Sequence, residues 1–164
     1  MTDYFYDALA YDYSEALELT ESESKSPMAY GKQMKRKILQ LGKRYYWKEI
    51  LENDELMVFW RTTFDVPEYY NSLLVNVYES GQSISPHTDR TKGLVSGSKV
   101  ISISISPEGN KEKLGSMKFT DGNRYDLFHK TKIEFDPHEH SQNGIKHSAT
   151  STRKRINFTF RHME

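Results

Sequence analysis

His87-Thr88-Asp89 and, well downstream, His147 supply two imidazoles and a carboxylate. That donor set suits non-haem iron(II), because it occupies one side of the coordination sphere and leaves positions open for an oxo-acid and oxygen. A second group of residues points the same way. In Arg155-Ile156-Asn157-Phe158-Thr159-Phe160-Arg161 the side chains of an extended strand alternate, so Arg155, Asn157, Thr159 and Arg161 share one face. Ile156, Phe158 and Phe160 share the other. A strand with one face in a core does not keep two guanidinium groups on its opposite face without anions to meet them. A dicarboxylate co-substrate beside the iron is such an anion, since guanidinium binds carboxylate through paired, charge-assisted hydrogen bonds. His138, Glu139 and His140 are a rival source of metal ligands, but Asp136–Asn143 reads as a polar loop. His147 is preferred because it follows Gly144-Ile145-Lys146, where a strand would hold it more firmly. His129 and His162 read as ordinary surface or edge residues.

The elements that must position these groups are mostly strands. Leu73–Glu79 alternates, with Leu74, Asn76 and Tyr78 on one face. After the Ser80-Gly81 turn, Ser83–Asp89 places His87 and Asp89 on one face if it stays extended. Val100–Ser106 sets Ile101, Ile103 and Ile105 against Ser102, Ser104 and Ser106, the pattern of a half-buried strand. Shorter strands are expected at Ser116–Thr120, Arg124–Phe128, Lys132–Phe135 and Gly144–Ser148, with Arg155–Phe160 last. Strands at this spacing predict a sandwich or barrel. Residues 30–48 read as helical at first and then strand-like through Lys43-Arg44-Tyr45-Tyr46-Trp47. Residues 49–71 are mixed, with a break at Pro67. The organisation expected is one globular domain: an acidic N-terminal arm over 1–29 packing on the rest, an extension and candidate substrate lid over 30–71, and a catalytic core over 72–164.

Composition narrows the function classes. The 164 residues suffice for one real core and not for two comfortable ones. The formal net charge of +0 provides no overall field for nucleic acid. The charge is nonetheless segregated: residues 1–24 carry acids and no Lys or Arg, and residues 32–48 carry Lys32, Lys35, Arg36, Lys37, Lys43, Arg44 and Lys48 and no acid. The basic segment is either a solvated face or a patch that meets phosphates. The absence of cysteine excludes disulfides, zinc knuckles and thiol nucleophiles, and fits an intracellular protein. No apolar run approaches a membrane span and no signal core opens the chain, so a soluble protein of the cytoplasm or nucleus is expected.

Taken in order, Asn76-Val77-Tyr78, the Gly81 turn, His87-Thr88-Asp89, the Ile101–Ile105 strand, His147-Ser148 and Arg155-x-Asn157-x-Thr159-x-Arg161 resemble the AlkB-like iron(II)- and 2-oxoglutarate-dependent dioxygenases. Lys37–Tyr45 is similar to the segment preceding that family's core. The resemblance implies a mainly β fold with flanking helices, a double-stranded β-helix or jelly-roll barrel. It implies iron held by His87, Asp89 and His147. It implies 2-oxoglutarate held at its distal carboxylate by Asn76, Tyr78 and Arg155, with Asn157 and Arg161 near the chelating end. Fe(II), 2-oxoglutarate and O2 would be required, with ascorbate as a candidate reductant. Family chemistry couples decarboxylation of 2-oxoglutarate to succinate with hydroxylation of a substrate C–H bond, and a hydroxylated N-methyl group collapses to formaldehyde and a bare nitrogen.

The implied substrate is an alkylated base in DNA or RNA, single-stranded because a paired base must first be flipped out. The protein is expected to act as a monomer, away from membranes. Two departures leave other classes open. Many base-demethylating relatives carry a further acid soon after the metal-binding Asp, whereas Arg90-Thr91-Lys92 follows Asp89 here. The stretch from His147 to Arg155 is also short. A protein or small-molecule substrate is the alternative, and a non-catalytic binding module a third. For the candidate lid, Tyr45, Tyr46, Trp47, Trp60 and Phe64 are either base-stacking groups or core; core packing is favoured for each taken singly.

Overall fold

The structure, a computed structural model, describes residues 11–29, 31–45 and 49–164. Strand alternation decides its layers. In the central strands one parity is apolar and the other carries the candidate chemistry, and the two parities face different partners.

Five strands form the larger sheet, in the order β3 (Lys37–Gly42), β4 (Ser72–Tyr78), β11 (Arg155–Arg161), β6 (Val100–Ile105) and β9 (Thr131–Phe135), all antiparallel neighbours. A second sheet follows the order β5 (Ser83–His87), β10 (His147–Ser151), β7 (Gly115–Phe119) and β8 (Arg124–Leu127). A small hairpin, β1 (Met28–Ala29) with β2 (Lys32–Gln33), precedes β3. A side chain at Gly115 would collide with the Thr150 carbonyl, so glycine permits β7 to lie against β10.

The apolar parity of the larger sheet (Leu73, Val75, Ile101, Ile103, Ile105, Ile156, Phe158, Phe160) packs against two helices, α1 (Tyr13–Glu23) and α2 (Asp54–Thr63). Asn53 caps α2 by accepting from the Leu56 N–H at 2.9 Å, and Leu56, Met57, Phe59 and Trp60 then fall on one buried stripe. Trp60 is fully buried with its ring 4.4 Å from that of Phe158, and its Nε1–H donates to Thr20 Oγ1 of α1 at 3.0 Å. Within the described part of the acidic segment, α1 packs on the sheet with Ala16 and Leu17 buried; residues 1–10 lie outside the described residues.

Several expectations are corrected here. The start of the 30–48 segment is a hairpin and an edge strand, because Ile38 and Gln40 alternate with Leu39 and Leu41 against β4 on both faces of the sheet. Residues 49–71 contain α2. Trp60 lies in the core and Phe64 packs against it, on the side of the sheet away from the candidate site, which is the packing favoured for each of them from the sequence. Tyr46 and Trp47 lie outside the described residues. Asp136–Asn143 contains a short helix, α3 (Pro137–Gln142), capped by the Asp136 side chain accepting from the His138 and Glu139 N–H groups. The strand expected at Gly144–Ser148 begins at His147 and runs to Ser151.

The serine face of β6 is the largest correction. It is not a solvent face: Ser102, Ser104 and Ser106 are all buried. Ser104 and Ser102 pair with Asn157 and Thr159 of β11, on the face turned toward the second sheet. The interior of the sandwich is therefore polar where an ordinary core would be apolar, and the site is built there.

Candidate active site

The second sheet brings the imidazoles together. His87 ends β5, His147 begins β10, and the two residues are directly paired across the strands. Their rings lie 4.3 Å apart. Asp89 follows two residues after His87 and turns its Oδ1 to within 3.2 Å of His147 Nε2 and 3.6 Å of His87 Nε2. One ligand atom from each of the three lies within 4.8 Å of the others. Among the described residues no other group of this kind is present, so His138 and His140 stand outside the cluster.

The protonation states suit a divalent metal. His87 Nδ1 lies 2.9 Å from the Ser85 carbonyl, which assigns the ring proton to Nδ1 and leaves Nε2 as the lone pair aimed at Asp89. Burial lowers the His87 pKa, helped by His147 and Arg36 and opposed by the Ser85 hydrogen bond and Asp89, which favours the neutral imidazole that a metal needs. Burial alone would raise the Asp89 pKa. The Arg161 guanidinium, 2.9 Å from Oδ2, and His147 outweigh it and hold the carboxyl well below the usual carboxylate range. Arg161 is itself clamped, its guanidinium 3.7 Å over the Tyr45 ring. Tyr45 is held by a hydrogen bond from its hydroxyl to the Arg90 carbonyl at 2.8 Å and by its N–H donating to Gln40 Oε1 at 3.3 Å.

Behind the cluster the polar face of the larger sheet forms the floor of a cavity of about 520 Å³. Arg155 is 2% exposed, donates from Nε to Ser151 Oγ at 3.0 Å and from Nη1 to Ser104 Oγ at 3.1 Å, and sits 4.5 Å over the Tyr78 ring. Burial pulls its pKa down. Among the described residues no carboxylate pairs with it, although two hydroxyls do not neutralise a cation. Asn157 donates to Ser102 Oγ at 2.8 Å and accepts from Thr159 Oγ1 at 2.6 Å, which fixes its amide. Asn76 accepts from Arg36 Nε at 2.8 Å. Arg161 Nε and Nη1 and His147 Nδ1 are buried without hydrogen-bond partners among the described residues.

All eight residues expected from the sequence, His87, Asp89, His147, Asn76, Tyr78, Arg155, Asn157 and Arg161, line this one cavity. The donor set and the unneutralised cation beside it fit a divalent iron and a dicarboxylate. Sequence reasoning missed Arg36, Ser102, Ser104 and Ser151 as site residues. Ser102 and Ser104 were legible in the alternation of β6, had it been seen that this strand lies between two others; Ser151, at the end of β10, and Arg36 have no such local signal. His129 is more than a surface residue, since its Nδ1 accepts from the Ser106 N–H at 3.0 Å.

No family model matches the chain, and no curated protein matches it. Among solved structures, a Pseudomonas putida prolyl-4-hydroxylase aligns over 96% of this chain and 87% of its own, with a TM-score of 0.53 and 12% identity. A conserved Streptococcus pyogenes protein of unknown function, SPY1581, aligns over 57% of this chain and 65% of its own, with a TM-score of 0.38 and 15% identity. An RmlC-like cupin from Desulfovibrio desulfuricans aligns over 55% and 70%, with a TM-score of 0.37 and 9% identity. The chain thus spans just under two thirds of the streptococcal protein. The expected fold class holds: the chain is a double-stranded β-helix, mainly β with flanking helices, and shares that fold with the prolyl-4-hydroxylase.

Proposed function

We propose that this chain is an iron(II)- and 2-oxoglutarate-dependent dioxygenase of the AlkB-like type that removes N-methyl groups from bases of single-stranded DNA or RNA. One observation carries the oxygenase reading: a His87–Asp89–His147 cluster shares a cavity with Arg155, a buried cation that no carboxylate of the described residues neutralises. The order of the motif residues along the chain supports the AlkB-like branch.

His87, Asp89 and His147 would hold the iron, and Arg155, Tyr78 and Asn76 the distal carboxylate of 2-oxoglutarate, with Asn157 and Arg161 beside its chelating end. Bound there, iron and co-substrate supply the oxidising power that hydroxylates a C–H bond, with succinate and carbon dioxide as co-products. The protein's part is positional. Arg161 keeps Asp89 ionised and directs its Oδ1 toward the imidazoles. Ser104 and Ser151 hold the Arg155 fork at the depth where a carboxylate meets it. Arg36 turns the Asn76 carbonyl toward itself and leaves the amide N–H groups to donate.

A second reading, a protein or small-molecule substrate, is favoured by Arg90-Thr91-Lys92 after Asp89, where an acid would read a base, and by the net charge of +0. The same centre serves either. Formaldehyde release from an N-methylated oligonucleotide, dependent on iron(II) and 2-oxoglutarate, is the expected result. Succinate formation without oligonucleotide-dependent formaldehyde moves the substrate to the second class, and absence of both under all substrates overturns the oxygenase reading. We further propose a monomer in the cytoplasm or nucleus. Among the described residues no helix is long and apolar enough to cross a membrane.

A further inference from the structure

The two candidate histidine ligands are held in different ways. A metal-binding imidazole ordinarily donates its other ring N–H to an acceptor, which fixes both tautomer and ring orientation. His87 does so through Nδ1 to the Ser85 carbonyl at 2.9 Å. His147 does not: its Nδ1 is buried and has no hydrogen-bond partner among the described residues. Rotation of an imidazole about its Cβ–Cγ bond is soft, and the 3.2 Å contact of Nε2 with Asp89 Oδ1 lies on the side where a metal would sit, so the back of the ring needs another support.

Rings do this instead. Phe135 lies 5.0 Å from His147 at 54°, and Phe119 lies 5.7 Å away at 44°. With His87 at 4.3 Å and 58°, they leave the imidazole a narrow slot. Behind them stands His140, stacked on Phe135 at 5.2 Å and 8° and meeting Phe119 edge-on at 5.2 Å and 74°. The chain builds this box from three places. Phe119 ends β7 directly opposite His147 in the sheet register. Phe135 ends β9, and the next residue, Asp136, caps α3, with the His140 N–H bonded to the Asp136 carbonyl at 3.0 Å. The histidine of the polar segment that competes in sequence for the metal is thereby set one aromatic layer behind it.

We propose that Phe135, backed by Phe119 and His140, is the positioning residue that orients His147 toward the metal, in place of a hydrogen bond from Nδ1. His140 acts as a flat ring in this arrangement, not through its nitrogens. The proposal rests on the iron reading above and assigns a further role within it.

Cobalt(II) titration of the metal-free protein, followed by visible absorption, tests both and separates them. Its ligand-field bands report coordination geometry without turnover. Phe135→Leu and His140→Ala should weaken cobalt binding about 10- to 100-fold, the range for loss of a group that orients a ligand, and should alter the bands. His140→Phe keeps the stacked ring and should match the unsubstituted protein in affinity and bands. Because Phe135→Leu is a core change, the partly buried His140 pair keeps the test decisive if that variant fails to fold. Wild-type affinity and bands in both Phe135→Leu and His140→Ala would overturn the positioning role while leaving the metal site intact. Loss in His140→Phe equal to that in His140→Ala would overturn the packing mechanism, since a nitrogen would then be needed. If instead the unsubstituted protein binds no cobalt, or His147→Ala binds it unchanged, the iron reading itself falls.

Discussion

Arg155→Met distinguishes an anion-binding cation from a structural one. In the folded protein the guanidinium is 2% exposed, with the Ser151 and Ser104 hydroxyls and the Tyr78 ring around it. Two hydrogen bonds to a charged group contribute about 1.5–3 kcal/mol each. Against them stands a desolvation cost of several kcal/mol for a buried ion without a counter-ion. These nearly cancel, so the ligand-free variant should lie within about 2 kcal/mol of the unsubstituted protein. That is a change in Tm of no more than about 8 °C at roughly 2–4 °C per kcal/mol for a chain of this size. Binding of 2-oxoglutarate is a different matter. Removing one partner of a buried, hydrogen-bonded charge pair costs about 2–5 kcal/mol. At 1.4 kcal/mol per tenfold this is about a 30- to 4000-fold rise in the 2-oxoglutarate requirement. Thermal unfolding with manganese(II), with and without 2-oxoglutarate, reads both quantities in one assay, and the KM for 2-oxoglutarate gives an independent value. A variant that keeps its co-substrate-dependent Tm shift would refute the assignment. So would one that loses more than about 4 kcal/mol in the absence of ligand, because Arg155 would then be serving the fold.

Asp89→Asn should destabilise the metal-free protein by about 3–5 kcal/mol near neutral pH, since it leaves Arg161 buried without its counter-charge. The folded pKa of Asp89 is depressed, so its contribution is complete above the unfolded carboxylate value and is lost as pH falls through the lower folded value. Denaturation followed from pH 7 downward should therefore show a shallower acid limb in the Asn variant, and an identical limb would contradict the pairing. Asn53→Ala removes the cap of α2 and should cost about 1 kcal/mol by chemical denaturation while leaving the KM for 2-oxoglutarate unchanged. Trp60→Ala should cost about 3–5 kcal/mol and leave oligonucleotide affinity of the refolded fraction unaltered, because the ring belongs to the core behind the sheet; selective loss of that affinity would restore Trp60 to a substrate surface.

Most strands were legible because alternation is a local signal: Leu73–Glu79, Val100–Ser106 and Arg155–Phe160 lie within one residue of the observed β4, β6 and β11 at each end. The helices were less so. The α2 stripe is interrupted by Val58 and Arg61, and its cap at Asn53 carries the signal better than its periodicity. Residue types and spacing drew attention to His87, Asp89, Arg155, Asn157 and Arg161, because a His-x-Asp pair at a strand end and an Arg-x-Asn-x-Thr-x-Arg strand carry their geometry in the two-residue repeat of the backbone; the full set, with His147, Asn76 and Tyr78 in their roles, came from the resemblance to the AlkB-like dioxygenases. Three matters could be decided only in three dimensions. The serines of β6 became partners of Arg155 and Asn157 because β11, distant in sequence, pairs beside β6. Arg36 reached Asn76 from a distant segment, and His140 became the backing of an aromatic box instead of a metal ligand. Each depends on contacts between segments far apart in the chain, which no local periodicity encodes and which exist only once distant strands have paired and packed.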